Sequence, residues 1–175
     1  DKFNFKKKIK IIDLKKLKNY KLNNNSINLI NVEYQQKKVF EKISNKSNKF
    51  INESFSLAFK IIKKEKIFKF INGPISKKNF LNKKYLGITE FIAQKFNAKS
   101  SCMLIYNKKL SVCPLTTHLP LSSVSKKINK ISIIEKIKLI NDFYKKHFKI
   151  IPQIAILGLN PHCESVDKFN EDEKI

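Results

Sequence analysis

Short apolar runs of strand length alternate along this 175-residue chain with longer segments in which apolar residues recur at helical spacing. Two of these longer segments, 47–64 and 131–148, carry apolar side chains every three to four residues, which predicts amphipathic helices. Shorter helices are predicted over 76–81 and 89–96. The apolar runs predicted as strands are 9–14, 27–32, 67–71, 102–106, 110–113 and 153–159. Strands separated by helices predict an α/β fold with a partly parallel sheet and flanking helices.

Polar loops follow three of the predicted strands, at 72–77, 114–121 and 160–165. In open α/β sheets, ligands gather at the carboxyl ends of the strands. We therefore expect the functional residues in these loops. The sequence contains neither GxGxxG nor GxxxxGK[ST], so neither of the two common phosphate-binding loops is present.

The formal net charge of +23 would suit a nucleic-acid-binding protein. However, every basic residue is Lys and none is Arg, the residue best suited to bidentate contacts with phosphate and guanine. We expect no specific nucleic-acid partner, although a basic nucleic-acid-binding module stays open as an alternative of another class. No apolar run approaches the roughly 18 residues of a membrane span, and no secretory signal pattern is visible. Together with three cysteines that lack CxxC spacing, this leads us to expect a cytoplasmic protein.

Two of the three histidines, His118 and His162, stand in these loops beside prolines. Neutral imidazole is the commonest protein ligand for a mid-row divalent metal, and the prolines would stiffen the backbone around it. Spacing alone leaves open whether the two are metal ligands or ordinary surface residues. His147 lies near the end of a predicted helix, where a histidine interacts favourably with the helix dipole, and it is assigned no chemistry.

Four motifs occur in an order that resembles the successive signatures of the 4-hydroxythreonine-4-phosphate dehydrogenase family, which acts in pyridoxal phosphate biosynthesis. The resemblance covers 66–173 well and the first 65 residues loosely. The motifs are Asn72-Gly73-Pro74-Ile75-Ser76-Lys77, Gly87-Ile88-Thr89-Glu90-Phe91, Pro114-Leu115-Thr116-Thr117-His118-Leu119-Pro120-Leu121 and Leu157-Gly158-Leu159-Asn160-Pro161-His162.

This resemblance implies a fold similar to isocitrate and isopropylmalate dehydrogenases and a homodimer whose active sites draw on both subunits. It also implies that His118 and His162 bind a divalent metal (Zn, Mg or Co) and that Thr89 contacts the substrate phosphate. The family's third metal-binding histidine comes from a later segment. We therefore expect residues 1–175 to be an incomplete catalytic region, without an N-terminal segment and a C-terminal third, and inactive alone.

The activity implied by the resemblance is the NAD-dependent, metal-assisted oxidation of 4-phosphooxy-L-threonine with decarboxylation. The family usually has a substrate-contacting histidine where this chain has Ile88, so another phosphorylated hydroxy acid stays open as the substrate. The family follows its second metal histidine with a glycine-rich stretch, whereas here Cys163 and Glu164 follow. Either of these could assist a metal, or both could be plain loop residues. Lys77 could add a charge near the phosphate, or it could be a solvated lysine.

Overall fold

The computed structural model describes residues 6–22, 25–38, 40–82 and 84–160. The chain divides into two compact units, Asp1–Phe80 and Leu81–Ile175. A small parallel sheet and several helices place the described residues in the α/β class, as the sequence predicts. Within the described ranges, no helix is both long and apolar enough to cross a membrane.

The sheet lies in the first unit and consists of two parallel strands, β1 (Lys8–Ile11) and β2 (Ser26–Leu29). Ile12 N–H donates to Leu29 O at 2.8 Å and extends the pairing by one residue. A 3₁₀ helix, Leu14–Asn19, connects the two strands. Strands were predicted at 9–14 and 27–32, and both exist. Both are shorter than predicted, with four residues each, and the first is followed by the 3₁₀ helix that begins at Leu14.

Helix α1 (Asn48–Glu65) confirms the helix predicted over 47–64. Its inner face buries Phe55 and Phe59, whose ring centroids are 5.4 Å apart. The ring of Phe80, at the end of α2 (Lys77–Phe80), stacks on Phe55 at 5.7 Å. These aromatic contacts form the core of the first unit, because each buried ring removes a large apolar surface from water.

The start of α1 has no side-chain cap. Ser47 occupies the N-cap position, but its side chain makes no capping hydrogen bond. Its hydroxyl instead donates to Ser44 O at 3.2 Å, in the 3₁₀ turn Asn45–Ser47 that leads into the helix. Ser47 therefore does not cap α1 through its side chain.

The second unit contains α3 (Ile88–Lys95), α4 (Leu121–Lys127) and α5 (Lys130–Phe148). Helices α3 and α5 were predicted within one residue of their observed bounds, whereas α4 was not predicted. Helix α5 begins with a capping box in which Asn129 Oδ1 accepts from Ser132 N–H at 3.0 Å. The reciprocal bond from Asn129 N–H to the Ser132 hydroxyl completes it, so two otherwise unpaired donors are satisfied.

Four other predicted strands are absent or reduced. Segments 67–71 and 153–159 form no strand in the described structure, and Ile71 and Leu157 are 95% and 85% exposed. Segments 102–106 and 110–113 meet only at an antiparallel bridge between Ile105 and Val112. A strand requires a partner that satisfies its backbone groups, and an apolar run does not by itself supply one. The three polar loops therefore follow extended segments rather than strands of one sheet. The fold similar to isocitrate and isopropylmalate dehydrogenases stays a prediction.

Candidate functional site

The N-terminus of α3 is built from the Gly87–Phe91 motif. Gly87 is the buried N-cap with an extended backbone, at φ −161° and ψ 179°. Phe91 anchors the first turn: it is 5% exposed, and its N–H donates to Gly87 O at 3.2 Å. Thr89 and Glu90 lie in that turn. The first N–H groups of a helix have no partner within it, so this turn presents donors and the positive end of the helix dipole.

His118 is held against this turn from the loop 114–120. Its backbone is left-handed, with φ 58°, a conformation that costs roughly 1–2 kcal/mol for a residue with a Cβ. Its Nε2 lies 3.4 Å from the point where a Cβ on Gly87 would stand. Two of the motifs found in the sequence, about thirty residues apart, therefore meet in the second unit.

A carboxylate oxygen shares the same space. Glu90 Oε2 lies 2.8 Å from the same point beside Gly87. This oxygen is shielded from solvent and has no hydrogen-bond partner among the described residues. The missing side chain of Gly87 therefore leaves a small opening that an imidazole nitrogen and an unpaired carboxylate oxygen both face.

A cavity of about 110 Å³ adjoins the first turn of α3 and is lined by Thr89, Glu90 and Thr117, among others. Lys136 of α5 also lines it and donates from Nζ to Ser101 O. The cavity has room for a small group rather than a whole cofactor. Sequence reasoning missed Lys136. The sequence did carry a signal for it: Lys136 lies three residues after Ile133, on the apolar face of the helix predicted over 131–148.

Two thiols lie beside this cavity. Cys102 lines it, and the Cys113 thiol donates to Pro114 O at 3.9 Å. Burial raises the pKa of the Cys113 thiol, the neighbouring Cys102 raises it further, and the Lys136 ammonium acts in the opposite direction. Both cysteines are half-buried.

Some of the predicted site residues cannot be placed. His162, Cys163 and Glu164 lie outside the described residues, so the pairing of His118 with His162 stays a prediction. Ile88 is the first residue of α3, next to Thr89. Lys77 begins α2 in the other unit. The phosphate role of Thr89 also stays a prediction.

The described residues fit a divalent metal in part. An imidazole nitrogen and an unpaired carboxylate are donors of the kind that Zn²⁺ and its neighbours accept in proteins. Within the described ranges, however, no three His, Cys, Asp or Glu side chains come together as a metal site. The described residues would thus contribute only part of a ligand set.

The described cavities do not fit a whole dinucleotide. The cavity at α3 has a volume of about 110 Å³, and one in the first unit, lined by Ser44, Asn48 and Pro74 among others, has about 220 Å³. Pockets for cofactors and drug-sized ligands occupy roughly 300–1,000 Å³. We therefore assign none of the described residues to NAD.

These features define an α/β chain with a small polar cavity at a helix N-terminus, lined by both an ammonium and a carboxylate. The family described as pyridoxal phosphate biosynthetic protein PdxA matches residues 2–175. The chain belongs to this family, which confirms the resemblance found in its motifs.

Individual relatives carry the name 4-hydroxythreonine-4-phosphate dehydrogenase. The protein from Sulfurihydrogenibium sp. is 39% identical over 120 residues, which are 67% of this chain and 37% of the relative. The protein from Aquifex aeolicus is 39% identical over 89 residues, 51% of this chain and 28% of the relative. The protein from Yersinia pestis is 33% identical over 106 residues, which are 59% of this chain and 32% of the relative. The matched part of this chain thus spans about a third of the length of these relatives.

Proposed function

We propose that this protein catalyses the NAD-dependent oxidation of 4-phosphooxy-L-threonine, with loss of CO₂, in pyridoxal phosphate biosynthesis. The observation that carries the proposal is the meeting of the Thr89 turn and His118 around Gly87. The resemblance gives these residues complementary roles, one toward the substrate phosphate and one toward a metal. The dehydrogenase names of the relatives support the same reaction.

The phosphate end of the substrate would lie in the cavity at α3. Thr89 would donate its hydroxyl to a phosphate oxygen, while the free N–H groups of the first turn supply further donors. Lys136 adds a positive charge to the same cavity wall. A hydroxyl, backbone donors and an ammonium are the groups that stabilise a phosphate in a partly enclosed space.

The reacting end of the substrate would lie toward His118. A divalent metal held there, with His162 as a second ligand, would act as a Lewis acid that lowers the pKa of the substrate hydroxyl. The role of His118 is to present its imidazole beside the phosphate cavity, and its left-handed backbone sets that position. NAD is the proposed hydride acceptor, and the homodimer is the proposed assembly. Both rest on the resemblance.

A second substrate of the same class is favoured by Ile88. This residue opens α3 immediately before Thr89 and presents an apolar side chain where the resembled family usually has a histidine. Isoleucine donates no hydrogen bond, so a substrate with fewer polar groups near its phosphate would lose less affinity here. Another phosphorylated hydroxy acid is therefore the second candidate.

Steady-state kinetics of the full-length protein would test the proposal. With metal and NAD supplied, NADH should form from 4-phosphooxy-L-threonine and not from unphosphorylated 4-hydroxythreonine. Thr89→Val should raise the KM for the phosphorylated substrate roughly ten- to a hundredfold, since a hydrogen bond to a charged group contributes about 1.5–3 kcal/mol. The KM for NAD should not change.

The matched control is Thr116→Val, because Thr116 is not part of the lining of this cavity. Equal effects of Thr89→Val on both KM values would contradict the phosphate role. A clearly higher kcat/KM for a different phosphorylated hydroxy acid would favour the second candidate.

A further inference from the structure

The carboxylate of Glu90 has an unusual environment for its position in α3. A glutamate in the first turn of a helix is stabilised by the helix dipole, commonly by about 0.3–1 kcal/mol when it is exposed. Glu90 Oε2 is instead shielded from solvent and unpaired among the described residues. A buried acceptor left unpaired costs about 1–3 kcal/mol, and more when it is charged. Helix stabilisation alone therefore does not explain the placement of this oxygen.

One candidate partner is the imidazole of His118, which faces the same point beside Gly87. Glu90 Oε2 and His118 Nε2 both contact the point where a Cβ of Gly87 would stand, at 2.8 and 3.4 Å. Both atoms are at the ends of rotatable side chains, and no Gly87 side chain separates them. They are not hydrogen-bonded to each other in this structure, so pairing requires rotation of one or both side chains.

We infer that Glu90 is a positioning residue for His118: its Oε2 accepts a hydrogen bond from Nε2–H and leaves Nδ1 free to bind the metal. The inference rests on the proposed function, in which His118 is a metal ligand. A carboxylate that receives the second ring N–H of a ligating histidine fixes its tautomer and orientation and raises its basicity. Pairing in this way also satisfies the unpaired oxygen.

The geometry also accounts for the glycine at position 87. Its backbone is extended, a conformation that any residue adopts, so conformational freedom does not require glycine there. A Cβ there would stand 2.8 Å from Glu90 Oε2, so any other residue would displace the carboxylate. Gly87, Glu90 and His118 therefore form one arrangement, in which the space left by the glycine lets the carboxylate hold the imidazole ring.

Two measurements on the full-length protein test this inference. The first is the affinity of the metal-free protein for Co²⁺, followed by the absorption of the bound ion. Loss of such a supporting carboxylate commonly weakens metal binding 10–100-fold, and we expect this for Glu90→Ala. Glu90→Gln, whose amide oxygen still accepts the bond, should fall between Glu90→Ala and the wild type. Glu135→Ala, an exposed glutamate on α5, is the matched control and should bind as the wild type does.

The second measurement needs no metal. Proton NMR of the ¹⁵N-labelled, metal-free protein should show a slowly exchanging N–H on His118 Nε2, assigned by its loss in His118→Asn. It should be absent in Glu90→Ala, while the thermal unfolding midpoint of that metal-free variant stays close to the wild-type value. Absence of this proton from the wild type overturns the inference, as does equal Co²⁺ affinity of the wild type and Glu90→Ala. If the wild type binds no Co²⁺ but shows the proton, the metal role in the proposed function fails and the Glu90–His118 pair stands.

Discussion

Replacing Gly87 by alanine adds a single methyl group at the point where the two motifs meet. The new Cβ would stand 2.8 Å from Glu90 Oε2 and 3.4 Å from His118 Nε2. Ordinary van der Waals contact begins near the second of these distances, so the carboxylate must retreat by roughly half an ångström. The added methyl group would already touch His118 Nε2, so the carboxylate cannot be displaced toward the histidine.

The expected loss of stability is small. The displaced atom is the end of a flexible side chain, so the clash is relieved by rotation rather than by backbone movement. Alanine is a poorer N-cap than glycine by up to about 1 kcal/mol. Reduced freedom of the unfolded chain offsets about 0.4–1 kcal/mol of this. The free energy of unfolding of Gly87→Ala should therefore lie within about 1 kcal/mol of the wild-type value.

The expected loss of metal affinity is larger. Functional groups must be held to within roughly 0.5 Å of their productive positions, and the substitution shifts the carboxylate by about that distance. We expect Co²⁺ to bind at least tenfold more weakly to full-length Gly87→Ala, measured by titration alongside urea unfolding. Gly73→Ala is the matched control, since nothing lies within 4 Å of its Cβ position, and both of its measurements should match the wild type. Unchanged Co²⁺ affinity in Gly87→Ala would refute the argument, because Gly87 would then be only a helix cap.

Three further predictions concern the packing around the site and the thiols beside it. Phe55→Ala should lower the free energy of unfolding by about 3–5 kcal/mol in urea titrations. Phe68→Ala, at a position that is 78% exposed, should change it by less than about 0.5 kcal/mol. Similar losses for the two variants would show that the aromatic core is misassigned. Asn129→Ala should cost about 1 kcal/mol in the same assay through loss of the α5 cap, and no change would mean that the capping box contributes nothing. Burial raises the pKa of Cys113, so the folded protein contains a smaller fraction of its thiolate. Iodoacetamide should therefore label Cys113 more slowly in the folded protein than in urea, and faster as the pH rises. Peptide mass spectrometry would measure both rates. Equal rates in the folded and unfolded protein would contradict this.

The helices could be predicted and most of the strands could not. The periodic apolar residues of α1 and α5 record a local property, namely which face of a helix is buried, so the sequence itself contains the information. The run 153–159 records only that its residues are apolar. Whether such a run becomes a strand depends on a partner elsewhere in the chain, and within the described residues none pairs with it. Helix α4 was missed for a different reason: its seven residues carry too few apolar side chains to show a period.

The candidate site was also predicted only in part. Thr89 and His118 stand in recognisable motifs, so both were singled out before any geometry was known. Glu90 was quoted within a motif but given no role, because its importance lies in a shielded oxygen and in the empty space at Gly87. Lys136 belongs to no motif. Its place in the cavity wall follows from how α5 packs against the segment that contains Ser101, a tertiary relationship that no local pattern encodes.

The left-handed backbone of His118 has a consequence for any effort to make this protein more heat-resistant. Glycine adopts that conformation without the steric penalty that a Cβ brings, so His118→Gly should relieve the local backbone conformation while it removes the imidazole. Directed evolution that rewards survival at high temperature alone would therefore tend to recover changes at position 118 early. Such a library should be screened for metal retention in parallel, or position 118 should be held constant from the first round, because thermal tolerance and ligand chemistry favour different residues there.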